Sequence, residues 1–211
     1  MTKTIPVFII ILMLVFDSLY AFQKEPLIRS KVYANYPAWS NDYDGEFENA
    51  CPNTCKISTT STLKANKGIT YEAKNMYQSN FDNTINTAWV EGVDGSGIGE
   101  KIRFKVVEIY ADYERWRLSA AVTFINGYAK NEKTWKANNR VKKLKMYRNG
   151  KSIAEIYLED TPNVQTFSLG KILYDNLLEV DEVIEFEIIE VYKGDIYDDT
   201  AITFFSLTCS P

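Results

Sequence analysis

From residue 57 onward, apolar side chains recur at alternate positions, the period of a strand with one buried face. Ile102, Phe104 and Val106 alternate with Arg103 and Lys105. Leu118, Ala120, Val122 and Phe124 repeat the pattern, as do Ile184, Phe186 and Ile188 against Glu185 and Glu187. Val141 to Tyr147 and Ser152 to Leu158 flank Arg148-Asn149-Gly150-Lys151, where Asn-Gly predicts a type I′ hairpin because both residues tolerate positive φ. Ile57 to Leu63 and Ala201 to Thr208 complete the set. Several short strands at regular spacing predict an all-β sandwich or jelly roll. A helix is expected only around Ala73 to Phe81 and Lys171 to Leu178. The stretch 22–56 carries Pro26, Pro37, Pro52 and Asn41-Asp42-Tyr43-Asp44-Gly45, all turn signals. It reads as an irregular N-terminal extension with one short strand near Lys31 to Tyr36.

The first residues follow a different pattern. Lys3 precedes an uncharged apolar run from Ile5 to Phe16, about 12 residues against the roughly 20 that a membrane-spanning helix needs. Asp17 ends the run, and a small residue, Ala21, follows. Residues 1–21 therefore read as a cleavable signal peptide, which makes the protein exported: secreted, periplasmic or cell-surface; an uncleaved anchor is the competing reading. No second apolar run of spanning length is present, so no membrane span is expected in the mature chain. The expected organisation is a signal peptide over 1–21, the extension over 22–56 and the β-sandwich domain over 57–211.

Composition narrows the chemistry. The formal net charge of −4 disfavours nucleic acid, which needs a basic face. The chain has no histidine, and this excludes Ser-His and Cys-His catalysis and histidine-based zinc sites. Three cysteines, Cys51, Cys55 and Cys209, are present. In an oxidising compartment two should pair, and the expectation is Cys209 with Cys51 or Cys55; a local Cys51–Cys55 bond is the competing arrangement. Closing the long loop would stabilise by up to about 4–5 kcal/mol in the chain-entropy model. Gly95, Gly97 and Gly99 loosely follow a dinucleotide loop, but a strand pattern follows where a helix should begin. They read as a tight loop feeding the strand from Lys101. Glu159-Asp160 and Asp198-Asp199 are adjacent carboxylates, and neighbours on a strand face opposite sides, so neither pair makes an obvious acid/base site.

Two stretches differ from generic surface. One runs from Asn80 to Gly92 and contains Trp89 and Glu91. The other runs from Ile125 to Val141 and contains Asn126, Tyr128, Trp135, Asn139 and Arg140. Both gather aromatic, amide and charged side chains beside turns. That is the chemistry a sugar needs: a ring stacks on its C–H face while amides and charges bond its hydroxyls. The competing role for Trp89 and Trp135 is as core residues at strand starts.

At these residues the chain resembles discoidin-like domains, more narrowly the type named for the translocation domain of bacterial NAD glycohydrolase toxins. The resemblance is carried by Phe81-Asp82, Thr87-Ala88-Trp89-Val90-Glu91-Gly92 and Gly95-Ser96-Gly97-Ile98-Gly99-Glu100-Lys101-Ile102. Asn126-Gly127-Tyr128, Asn139-Arg140-Val141-Lys142 and Leu158-Glu159-Asp160 with Gln165 fit it too, as do Val191-Tyr192-Lys193-Gly194-Asp195 and Asp199-Thr200-Ala201-Ile202. It spans roughly Ile57 to Cys209. It implies a galactose-binding-like jelly-roll β-sandwich that serves glycan or cell-surface recognition as an accessory module. It also implies a structural calcium ion near Asp82 and Thr87. The last-strand pair Thr203-Phe204 stands where that family has Ser-Glu, and Phe204 offers no oxygen, so weak or no calcium binding is expected. No other cofactor is expected.

These readings converge on an exported, non-catalytic module that binds a glycan or a surface protein through loops at one end of the sandwich. Its expected ligand-binding residues are Trp89, Glu91, Asn126, Tyr128, Trp135, Asn139 and Arg140. An envelope-structural or protein–protein interaction module without a sugar site is the alternative. A carboxylate-dependent glycoside hydrolase is a third reading, which requires two carboxyl groups facing each other across a cleft, about 5–9.5 Å apart.

Overall fold

The computed structural model describes residues 25–32, 36–40, 55–76, 86–107, 117–173 and 178–210. The expected signal segment, Cys51, Asp82 and the end of the expected helix at 77–81 lie outside them.

Two sheets face each other. The first has the order β1 (Leu27–Arg29), β8 (Lys151–Tyr157), β7 (Arg140–Arg148), β10 (Val183–Tyr192), β5 (Lys101–Val106), β3 (Cys55–Thr59). The second has the order β2 (Lys31–Val32), β9 (Gln165–Ser168), β6 (Arg117–Asn126), β11 (Ala201–Ser210), β4 (Trp89–Val90). The fold is an all-β jelly-roll sandwich. Alternation does what the sequence pattern requires: in β5, Ile102, Phe104 and Val106 are buried, while Arg103 and Lys105 face out, with Arg103 bonded to Glu185 of β10. Between the sheets Phe205 of β11 meets Phe104, Phe124 and Phe186, at ring centroid distances of 5.2, 5.0 and 4.8 Å. Each such buried ring stabilises by roughly 1.5–3 kcal/mol over its exposed state. The β7–β8 hairpin turns at Asn149 (φ 48°) and Gly150 (φ 79°), the left-handed pair of a type I′ turn.

Three expectations are corrected. First, residues 25–32 are not an irregular extension. β1 pairs in parallel with β8 and β2 pairs antiparallel with β9, so the chain crosses from one sheet to the other at Ser30. Ser30 is buried; its hydroxyl donates to Gln165 Oε1 at 2.7 Å and accepts from Glu159 N at 3.3 Å. The short strand expected near Lys31 is present as β2, while proline and turn residues further along masked β1 and the pairing of both strands in the sequence. Second, the helix expected from Ala73 is a 3₁₀ turn over Ala73–Met76 as far as it is described, whereas the one expected from Lys171 is present as α2 (Gly170–Leu173). A helix that was not expected, α1 (Glu132–Ala137), starts at an Asn131/Thr134 capping box. Third, the Cys209–Cys55 bond is not formed. Cys55 opens β3 at the edge of the first sheet, whereas Cys209 lies in β11 of the second, and the Cys55 thiol is free. Burial pushes that thiol up to about 11. The pairing of Cys209 with Cys51 lies outside the described residues.

Candidate functional site

Strand directions bring five connections to one end of the sandwich. They are 60–71 after β3, 91–100 between β4 and β5, 127–139 between β6 and β7, 158–164 between β8 and β9, and 193–200 between β10 and β11. All seven expected ligand-binding residues fall at this end. The structure thus gathers them as the sequence reading required, but it turns most of them inward.

Trp89 is fully buried in the main core, and its indole N–H donates to Ser61 O at 2.9 Å. Asn126 works as a staple between the sheets. Its side-chain amide donates to Val141 O at 2.7 Å, and its carbonyl accepts from Val141 N at 2.8 Å. β6 and β7 belong to different sheets, so this pair replaces the backbone ladder that cannot form there. Asn139 clamps the 193–200 connection by donating to Asp198 O and accepting from Gly194 N. The Arg140 guanidinium lies over the Trp135 ring at 4.6 Å and forms a bidentate pair with Asp160, at 2.9 and 3.0 Å. It also donates to Asn138 O and Lys193 O, both at 3.1 Å. Trp135 itself donates to Asn126 O at 3.0 Å. Gly127 (φ 72°) lets this stack close: a Cβ there would come 2.6 Å from Arg140 Cγ and 2.9 Å from Trp135 Cδ1.

Glu91 is a buried carboxylate. It accepts from Val93 N at 2.8 Å and from Thr200 N at 3.2 Å, and Gly97 passes directly over it, leaving no room for a Cβ. Burial raises its pKa above the ordinary value, and the two backbone N–H groups oppose that shift only in part. Tyr128 alone of the seven keeps a partly exposed ring. It packs with Leu63 and Tyr71 over Ala88, Val90 and Ala201, and its hydroxyl donates to Asn86 O at 3.2 Å. The expectation that Trp89 and Trp135 offer stacking faces is therefore not met in this structure: both indoles are packed inside, and their N–H groups are spent on backbone carbonyls.

The side chains that do face solvent here are others. Ile98 is 60% exposed, Ile196 65% and Tyr197 54%. The 193–200 connection is held between its neighbours: Asp195 N donates to Lys136 O, Ile196 N and Tyr197 N donate to Ala137 O, and the Thr200 hydroxyl donates to Ser96 O. One sequence signal could have found these residues, since Ile196-Tyr197 is an apolar pair between Gly194-Asp195 and Asp198-Asp199.

The two adjacent carboxylate pairs are engaged differently, and Asp199 and Glu100 lie close enough to Glu91 to add to the rise that burial gives its pKa. Asp160 is committed to Arg140. Asp198 is bonded to Lys193, which lowers its pKa, while burial and then Asp198 raise that of Asp199. Of the residues expected near a calcium ion, Asp82 lies outside the described residues and Phe204 brings no oxygen. Phe204 is buried in an apolar cluster with Ile125, Ala129, Trp135 and Val164, and the Thr87 hydroxyl is bonded to Asn75 O. Among the described residues no group of three or more acidic or thiol side chains gathers to hold an ion. None of the described helices is long and apolar enough to cross a membrane.

No curated protein matches the chain in sequence. One solved structure similar to it is the arabinofuranosyltransferase AftD from mycobacteria. The match has 12% identity and a TM-score of 0.44, and it covers 72% of this chain and 11% of that one. The family model described as the NAD glycohydrolase translocation F5/8 type C domain matches residues 49–207, which span the sandwich from just before β3 into β11, and the chain belongs to that family.

Proposed function

We propose that this protein is an exported, non-catalytic accessory module that recognises carbohydrate or another cell-surface ligand through the loop end of the sandwich. The observation that carries the reading is a division of labour there. Glu91, Asn126, Trp135, Asn139 and Arg140 brace the connections from inside, and the braced connections hold Ile98, Ile196 and Tyr197 out in solvent. Exposed apolar side chains on rigid loops fit recognition better than stability, because nothing in the fold gains from their exposure. Tyr197 and the partly exposed Tyr128 are the rings available for stacking on a sugar. The family name supports the same class, since it denotes a translocation module associated with a glycohydrolase and not the glycohydrolase itself.

A glycan array probed with residues 22–211 tests the reading. Binding to a defined glycan class is expected, with Tyr197→Ala weakening it roughly 5- to 150-fold, the range for losing one buried anchor contact, while the melting temperature stays within about 2 °C. Absence of binding to both glycans and intact cell surfaces would remove the proposal.

A further inference from the structure

The family match begins at residue 49, yet residues 25–32 and 36–40 are built into the same domain. We infer that this preceding segment belongs to the recognition unit, and that Trp39 is a positioning residue for the 193–200 connection. The inference rests on the reading of the loop end as the contact surface.

The segment is attached at three levels. Pro26 O accepts from Glu155 N at 3.0 Å and Ser30 N donates to Tyr157 O at 2.9 Å, which seats β1 along the whole of its partner stretch on β8. Ser30 then joins Gln165, whose side chain both donates to Glu159 O and accepts from Glu159 N, so the start of the 158–164 connection is clamped from two sides. Further on, Ala38 is fully buried and its N–H donates to Pro162 O at 3.1 Å. Trp39 packs beside it against Trp135, with ring centroids 6.5 Å apart and planes tilted by 55°.

Trp135 is where this attachment meets the candidate surface. α1 has six residues, too few to hold itself as a helix, so its place is set by tertiary anchors. Trp135 is the large one. The next two residues, Lys136 and Ala137, supply the carbonyls that accept from Asp195, Ile196 and Tyr197. Movement of the Trp135 indole therefore moves the acceptors that hold the exposed pair Ile196-Tyr197. Trp39, on a segment outside the family match, covers that indole and limits its movement.

The test is Trp39→Ala in the 22–211 chain, read by site-resolved amide hydrogen exchange. Exchange at Asp195, Ile196 and Tyr197 should rise at least about tenfold, while the amides of β5 and β10 exchange as in the wild type. Trp39→Phe should restore protection. On the glycan array, Trp39→Ala should lose signal and Trp39→Phe should regain it. Unchanged exchange at 195–197, or an equal rise across both sheets, overturns the positioning role. If Trp39→Ala yields no folded protein, Trp39→Leu is read by the same criteria. The exchange readout needs no ligand, so a wild-type chain that binds neither glycans nor intact cell surfaces removes the proposed function, while exchange alone decides the role of Trp39.

Discussion

Arg140→Ala should cost the domain about 3–5 kcal/mol, a fold-level effect and not a selective loss of ligand contact. The side chain is 8% exposed and bonds three partners at once. Truncation leaves the buried Asn138 carbonyl and the part-buried Lys193 carbonyl without their donor, about 2–3 kcal/mol together because the second can partly rehydrate. Asp160 is 36% exposed and rehydrates, so the ion pair adds only on the scale of a surface pair, up to about 1 kcal/mol. Loss of the cation over the Trp135 ring adds about 1 kcal/mol. At roughly 2–4 °C per kcal/mol for a domain of this size, the melting temperature should fall by roughly 10 °C. Calorimetry checks this, with urea unfolding as a second probe. Arg140→Lys should recover only part of the loss, because an ammonium cannot span the carboxylate and both carbonyls together. Asp160→Asn should fall well short of Arg140→Ala. An Arg140→Ala variant that melts within about 2 °C of the wild type would refute the bracing account and return Arg140 to the list of ligand contacts.

Two further outcomes follow from buried titratable groups. The folded-state pKa of Glu91 is raised by burial, so its favourable contribution is fully present below the ordinary value of 4.5 and is lost as pH rises through the raised value. The wild type should therefore gain stability relative to Glu91→Gln as pH is lowered from 7 to 4, and paired melts at the two pH values measure it; a difference that stays constant or reverses contradicts the assignment. Cys55, with its thiol raised to about 11, should have only about one thiolate in a thousand at pH 8 and alkylate far more slowly in the native protein than after unfolding. Mass spectrometry of iodoacetamide-treated protein reads this, and fast native labelling would show that the thiol is not buried as described.

The sequence alone was enough for the fold class, because alternation is a one-dimensional signal. Ile102-Phe104-Val106 and Ile184-Phe186-Ile188 must bury one face, and Asn149-Gly150 must turn with positive φ, whatever the rest of the chain does. The motif residues could also be placed at one end, since they fall where strand patterns stop. What alternation does not encode is which way a turn residue points. Asn126 and Asn139 have the same side chain a ligand site would use, and only the closing of two sheets around them decides that their partners are Val141, Gly194 and Asp198. Trp135 and Trp89 read equally well as platforms or as packing until the second layer arrives. Of the segment before β3, only the short strand at Lys31 was legible, for a related reason. Strands of three and two residues are stable only on edges already formed, and those edges, β8 and β9, lie more than a hundred residues away along the chain. Local sequence settled the alternating strands and the Asn149-Gly150 turn; long-range contact settled the short edge strands, and which side chains are spent on holding the fold together and which are left for a partner.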